Sequence, residues 1–152
     1  PERQQQAPAR FAGTEPLAGV RTLIVDDEED VRELLTLTLQ GYGTEVETVG
    51  CAKEALKRLT RQKPGVDFDV LICDIGMPDE DGYTLIRKVR ALPAEAGGKI
   101  PAIALTAYGR APERVRALEA GFEMHVVKPV EPDELVAVIL SLVKRFDGDR
   151  EL

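Results

Sequence analysis

Thr22-Leu23-Ile24-Val25-Asp26-Asp27 is a short apolar, β-branched run that stops on two carboxylates. The chain repeats the arrangement three times: Asp74 follows Val70-Leu71-Ile72-Cys73, Thr106 follows Ala102-Ile103-Ala104-Leu105, and Lys128 follows His125-Val126-Val127. Consecutive strands of a parallel sheet all end at one edge, so these dispersed sites would meet in a single pocket. Three carboxylates, a hydroxyl and an ammonium brought together there describe a cation site with a lysine beside it, and point to phosphoryl chemistry.

The runs alternate with helical stripes. Strands are predicted at Thr22–Val25, Glu45–Val49, Val70–Cys73, Ala102–Leu105 and His125–Val127. Apolar residues at helical spacing lie between and after them: Val31, Leu34, Leu35, Leu39; Ala52, Ala55, Leu56, Leu59; Leu85, Ile86, Val89; Val115, Leu118; and Leu135, Val138, Ile139, Leu142. Strictly alternating strands and helices imply an α/β fold with an open parallel sheet covered on both faces. Right-handed crossovers then favour a doubly wound five-stranded sheet in the flavodoxin-like order 2-1-3-4-5. In that order the first and third strands flank the switch point where ligands bind, and Asp26, Asp27 and Asp74 stand at those strand ends.

The chain has 152 residues and 43% hydrophobic content, enough for one core. A net charge of −7 and a pI near 4.9 leave no basic stripe for nucleic acid. Two cysteines, Cys51 and Cys73, lack metal-ligand spacing and fit a reducing compartment. No stretch approaches the roughly 20 apolar residues of a membrane span, so no membrane insertion by this segment and a cytoplasmic location are expected. Residues 1–19 mix Pro, Gln, Ala and charge without periodicity and are predicted to be a linker; residues 20–146 form the domain, and 147–152 a polar tail. The start at Pro1 is consistent with a segment of a longer chain.

Nucleotide-binding sheets of this class place a glycine-rich turn after the first strand. Here that turn is Asp26-Asp27-Glu28-Glu29-Asp30, which repels a bare phosphate and attracts a cation, so a phosphate must arrive with a metal. Hard oxygen ligands favour Mg²⁺ or Mn²⁺. Acidic residues before a helix also cap it and complement its dipole. Asp74, however, precedes Ile75-Gly76-Met77-Pro78 and so opens a loop. A carboxylate can attack phosphorus to give an acyl phosphate when a metal and a cation neutralise the phosphoryl oxygens, and Lys128 is placed to be that cation.

With these residues assembled, the chain resembles the receiver domain of bacterial two-component response regulators over about residues 20 to 146. The resemblance rests on LIVDDEED, on Asp74-x-x-Met77-Pro78 with Gly82, on Leu105-Thr106-Ala107, and on Lys128-Pro129. It implies that Asp74 accepts a phosphoryl group from phosphohistidine on a histidine kinase or histidine phosphotransfer protein, in another chain or in the same polypeptide. It further implies that Asp27, Asp74 and the backbone carbonyl of Gly76 ligate Mg²⁺ directly and Asp26 through water, that Lys128 pairs with a phosphoryl oxygen, and that the Thr106 hydroxyl moves to bond another. The peptide before Pro129 is expected to be cis, since only X-Pro bonds carry a small cis penalty. Gly76 and Tyr108 take the places that tune phosphoryl lifetime, with Tyr108 expected to shield the acyl phosphate. A homodimer would form through the face of the fourth helix, fifth strand and fifth helix.

Two positions depart from the family pattern. His125 stands where an aromatic switch residue is usual, and Val130 where Phe is common. Strand alternation gives His125 and Lys128 opposite parity, so His125 is expected at the surface beside the fourth helix. The stretch MHVVKPVEP is similar to receivers attached to hybrid histidine kinases, and an origin in such a kinase is expected. Two other readings compete with the signalling one. An aspartyl-nucleophile phosphatase needs an acid two residues after the nucleophile, where this chain has Gly76. A pseudo-receiver would be an interaction module that takes no phosphate.

Overall fold

The computed structural model describes residues 14–60 and 68–151, with the side chains of 145–151 left aside. Five strands form one parallel sheet in the order β2-β1-β3-β4-β5: β1 Arg21–Val25, β2 Glu45–Val49, β3 Val70–Asp74, β4 Ala102–Thr106 and β5 Met124–Val127. The helices are α1 Glu29–Gln40, α2 Ala52–Thr60, α3 Gly82–Arg90, α4 Ala111–Ala120 and α5 Pro132–Glu151, with a short 3₁₀ turn at Ala94–Ala96. The expected fold class and strand order are therefore met.

Side-chain alternation divides the core in two. Leu23 and Val25, Leu71 and Cys73, and Ala102 and Ala104 point to the face covered by α2, α3 and α4, where they meet Leu59, Ile86, Val89 and Ala117. Ile24, Val70, Ile72, Ile103 and Leu105 point to the opposite face and pack with Leu35, Leu39, Val136 and Ile139 of α1 and α5. All residues of β3 and β4 are buried, which explains their unbroken apolar sequences. The outer strand β2 is Glu-rich and partly exposed, as suits an edge.

Two expected boundaries are corrected. The linker was expected to run to residue 19, but Leu17 is fully buried, joins the α1–α5 core, and its N–H donates to the Tyr42 carbonyl at 2.9 Å. A lone leucine in a polar stretch carries no periodicity, so only its packing site betrays it. The domain was expected to end at residue 146 and give way to a polar tail, and α5 continues through that stretch to Glu151. Extending an existing helix adds a hydrogen bond per residue without a new nucleus, so a polar sequence suffices.

Candidate functional site

At the carboxyl edge of the sheet, Asp26 directly follows β1, while Asp74 and Thr106 are the last residues of β3 and β4. Lys128 directly follows β5. The sheet thus brings these sites into one cleft of about 460 Å³, lined among others by Asp27, Asp74, Gly76, Thr106, Tyr108 and Lys128. Asp26 is fully buried beneath it, Asp74 and Thr106 are buried, and Asp27 is exposed.

Asp26 does not cap α1. Its Oδ1 accepts the Glu28 N–H at 2.9 Å within the turn, while the N-cap residue Glu28 makes no side-chain cap bond. Glu29 and Asp30 lie in the first turn, where they complement the helix dipole. The capping reading therefore holds for those two and not for the aspartate pair.

The Lys128 ammonium bridges the buried acids, 3.2 Å from Asp74 Oδ1 and 3.3 Å from Asp26 Oδ2. Its backbone N–H also donates to the Thr106 carbonyl at 2.8 Å, and the Lys128–Pro129 peptide bond is cis. Burial disfavours the ammonium, but Asp74 and Asp26 outweigh that and hold the lysine above its ordinary range. For Asp74 the balance goes the other way. Burial, then the like charge of Asp26, push its carboxyl above the usual aspartate value, against the Gly76 N–H at 3.2 Å and Lys128.

Thr106 and Tyr108 are tied to each other. The Thr106 hydroxyl donates to the Tyr108 carbonyl at 3.0 Å and accepts the Tyr108 N–H at 3.0 Å, so it faces its own loop. The Tyr108 side chain is 62% exposed at the rim, with the Arg110 guanidinium 5.8 Å from its ring centroid. His125 is half-buried on β5, paired in register with Ala104. Cys73 is a core residue, its thiol pushed far up by burial and the neighbouring carboxylates.

Oxygen atoms of Asp26, Asp27 and Asp74 lie within 4.8 Å of one another, close enough to share one ion. These are hard, anionic donors, and the Gly76 backbone lines the same cleft. The set fits Mg²⁺, which favours carboxylate and carbonyl oxygen and keeps several waters.

Four further residues shape the site without carrying a strand-end signal. Arg32 on α1 donates from Nη1 to the Asp26 carbonyl at 2.7 Å. Asp81 caps α3 by accepting the Thr84 N–H at 2.9 Å. Tyr83, at the start of α3, lines the cleft beneath the Arg116 guanidinium, 4.1 Å from its ring centroid. Asp81 follows the helix-start rule and was within reach of the sequence. Arg32 and Arg116 depend on contacts between separate elements.

Residues 22–140 match the response regulator receiver domain family. An uncharacterised 14.6 kDa protein in the sodA1 3′ region of Leptolyngbya boryana is 42% identical over 133 residues, covering 88% of this chain and 97% of that protein. Response regulator SaeR of Staphylococcus epidermidis is 36% identical over 124 residues, 82% of this chain but 50% of SaeR. The chain thus spans about half the length of such regulators. Among solved structures, the receiver domain of sensor histidine kinase PA1611 from Pseudomonas aeruginosa, with a magnesium ion coordinated in its active site cleft, superposes with a TM-score of 0.73. That match has 29% identity and covers 84% of this chain and 99% of the other.

Proposed function

The chain belongs to the response regulator receiver domain family, a family of signalling domains, and from that premise we propose that Asp74 is its phosphoryl acceptor in two-component or phosphorelay signalling. The observation that carries this reading is the shared ammonium: one lysine spans Asp74 and Asp26 inside a cleft that also holds Thr106. An Asp74 oxygen forms the new bond to phosphorus as the phosphohistidine P–N bond breaks, which leaves an acyl phosphate on the chain.

Asp26, Asp27, Asp74 and the Gly76 carbonyl would hold Mg²⁺, or Mn²⁺ in its place. When bound, the ion neutralises phosphoryl oxygens that an acidic cleft would otherwise repel. Lys128 balances the remaining charge on the phosphoryl group, and its contact with Asp26 keeps it aimed at the acceptor. Thr106 gives up its bonds to Tyr108 and turns inward to a phosphoryl oxygen. That exchange repacks the loop before α4 and carries the signal toward β5, where His125 stands in the switch position. Gly76 and Tyr108 set how readily water reaches the acyl phosphate, and self-dephosphorylation is the only turnover this reading allows.

The phosphoryl donor is a histidine kinase or phosphotransfer protein in the cytoplasm, and the chain is the receiver of a hybrid histidine kinase. No described helix is long and apolar enough to cross a membrane. Exposed Val115 and Leu118 of α4 and Val127 of β5 support pairing of two copies through the α4–β5–α5 face. The test is incubation with a small acyl phosphate and Mg²⁺. One phosphoryl group per chain is expected, abolished in Asp74→Asn. Undiminished labelling of Asp74→Asn would sink the assignment, and failure of the native chain to label would favour an interaction module that takes no phosphate.

A further inference from the structure

The backbone of the acidic turn is fixed at several points. The Asp26 N–H donates to the Val49 carbonyl at 3.2 Å, and its side chain is held by the Glu28 N–H and Lys128. Its carbonyl accepts Nη1 of Arg32 at 2.7 Å. That carbonyl belongs to the peptide plane joining Asp26 to Asp27, so whatever holds it also sets where Asp27 starts. Asp27 is exposed, and its carboxylate has no hydrogen bond or ion pair among the described residues. Its aim therefore depends on the backbone.

The Arg32 guanidinium packs closely against a particular glycine. Gly50 follows β2, and its φ lies outside the left-handed region, so its backbone conformation does not require glycine. A Cβ built there would lie 3.2 Å from Arg32 Nη1 and 3.7 Å from Cζ, and within 4 Å of no other described residue beyond its chain neighbours. The absence of a side chain at residue 50 thus gives the guanidinium its seat beside the backbone there, and a larger residue would press on it.

We propose that Arg32 and Gly50 form a positioning pair that orients the Asp26–Asp27 peptide and thereby tunes divalent-cation affinity. This rests on the reading of Asp26, Asp27 and Asp74 as the Mg²⁺ site. Charge and positioning act in opposite directions here. A guanidinium near the ion repels it, so removing Arg32 would tighten Mg²⁺ binding if charge dominated. If the hydrogen bond dominates, removal weakens binding. Residues that orient metal ligands typically change affinity by about 10–100-fold when lost.

The experiment is calorimetric titration of the full chain with MgCl₂, beside urea unfolding in EDTA. For Arg32→Met we expect Mg²⁺ affinity to fall by about tenfold. Gly50→Ala and Gly50→Val keep the charge and displace the guanidinium, and we expect graded losses, larger for Val. A structural role alone would lower the urea midpoint of Arg32→Met while leaving Mg²⁺ affinity unchanged, and that result overturns the proposal. Tighter binding by Arg32→Met, or unchanged binding by Gly50→Val, overturns it as well. A native chain that binds no Mg²⁺ defeats the metal reading itself and this inference with it, an outcome separable from native binding that the variants leave untouched.

Discussion

At Asp74, burial and the neighbouring Asp26 charge make ionisation costly. Its native carboxyl keeps a proton to higher pH than in the unfolded chain, so the native state binds more protons just above the ordinary value of 3.8. Stability from this group therefore falls as pH rises through that window. Without divalent ions, we expect Asp74→Asn to have a higher urea midpoint than the native chain at pH 7, with the gap shrinking as pH drops toward 4; a lower midpoint at pH 7 would contradict this. Lys128 has the opposite role. Its raised value means a contribution complete below the ordinary 10.5 and lost as pH climbs through the folded value. Lys128→Met leaves two buried carboxylates uncompensated and should destabilise the apo fold by about 2 kcal/mol, a buried-pair loss discounted for partial exposure of the lysine. Denaturant titration measures it, and added Mg²⁺ should recover part of the loss. At the rim, if the Tyr108 ring shields the proposed acyl phosphate by about 0.5–1 kcal/mol, Tyr108→Ala is expected to dephosphorylate roughly two- to fivefold faster. An unchanged decay of labelled protein would remove Tyr108 from the lifetime argument.

At the scale of elements, the start of α3 sets the loop behind Asp74. Gly82 packs so tightly that a Cβ would lie 2.8 Å from the Asp74 carbonyl, 2.9 Å from Ile75 Cα and 3.2 Å from Cys73 Sγ. Two of those atoms are backbone and cannot swing aside. Gly82→Ala should cost about 2 kcal/mol in urea unfolding, within the range for overpacked sites, and should also slow labelling because the loop carrying Gly76 must shift. Native stability in that variant would argue that the helix can slide freely. The loop between β4 and α4 has a similar close approach: a Cβ on Gly109 would lie 2.7 Å from Val127 Cγ2. Strand ends, helix stripes and the Asp74 loop were legible in the sequence because each is local. Gly82 was visible only as a motif letter, and its crowding against Asp74 depends on how α3 seats on the sheet.

For the whole molecule, the proposed switch is a change in population between two packings. Moving a 1:99 mixture to 99:1 needs about 5.5 kcal/mol of differential stabilisation, and charge-assisted bonds from Lys128 and Thr106 to a phosphoryl group are the source. Backbone amide spectra should shift from Thr106 to Arg110 and along β5 on adding a phosphoryl mimic with Mg²⁺, and superimposable spectra would refute the switch. The domain is also larger than its periodic pattern. Leu17→Ala empties a fully buried site and should cost about 3 kcal/mol by denaturant titration, in the range for buried leucines. The order of apolar runs and their polar ends determined the parallel α/β architecture and brought Asp26, Asp27, Asp74, Thr106 and Lys128 to one edge, because strand direction alone dictates where a strand's last residue points. Tertiary packing alone decided that Lys128 bridges two acids, that Thr106 turns to its own loop, and that Leu17 and the Arg32–Gly50 seat join the structure. The lysine bridge, the Leu17 site and the arginine seat are contacts between separate elements, set by how the helices settle against the sheet, while the Thr106 bond to Tyr108 spans two residues and depends on the path of the loop after β4; no local pattern encodes either.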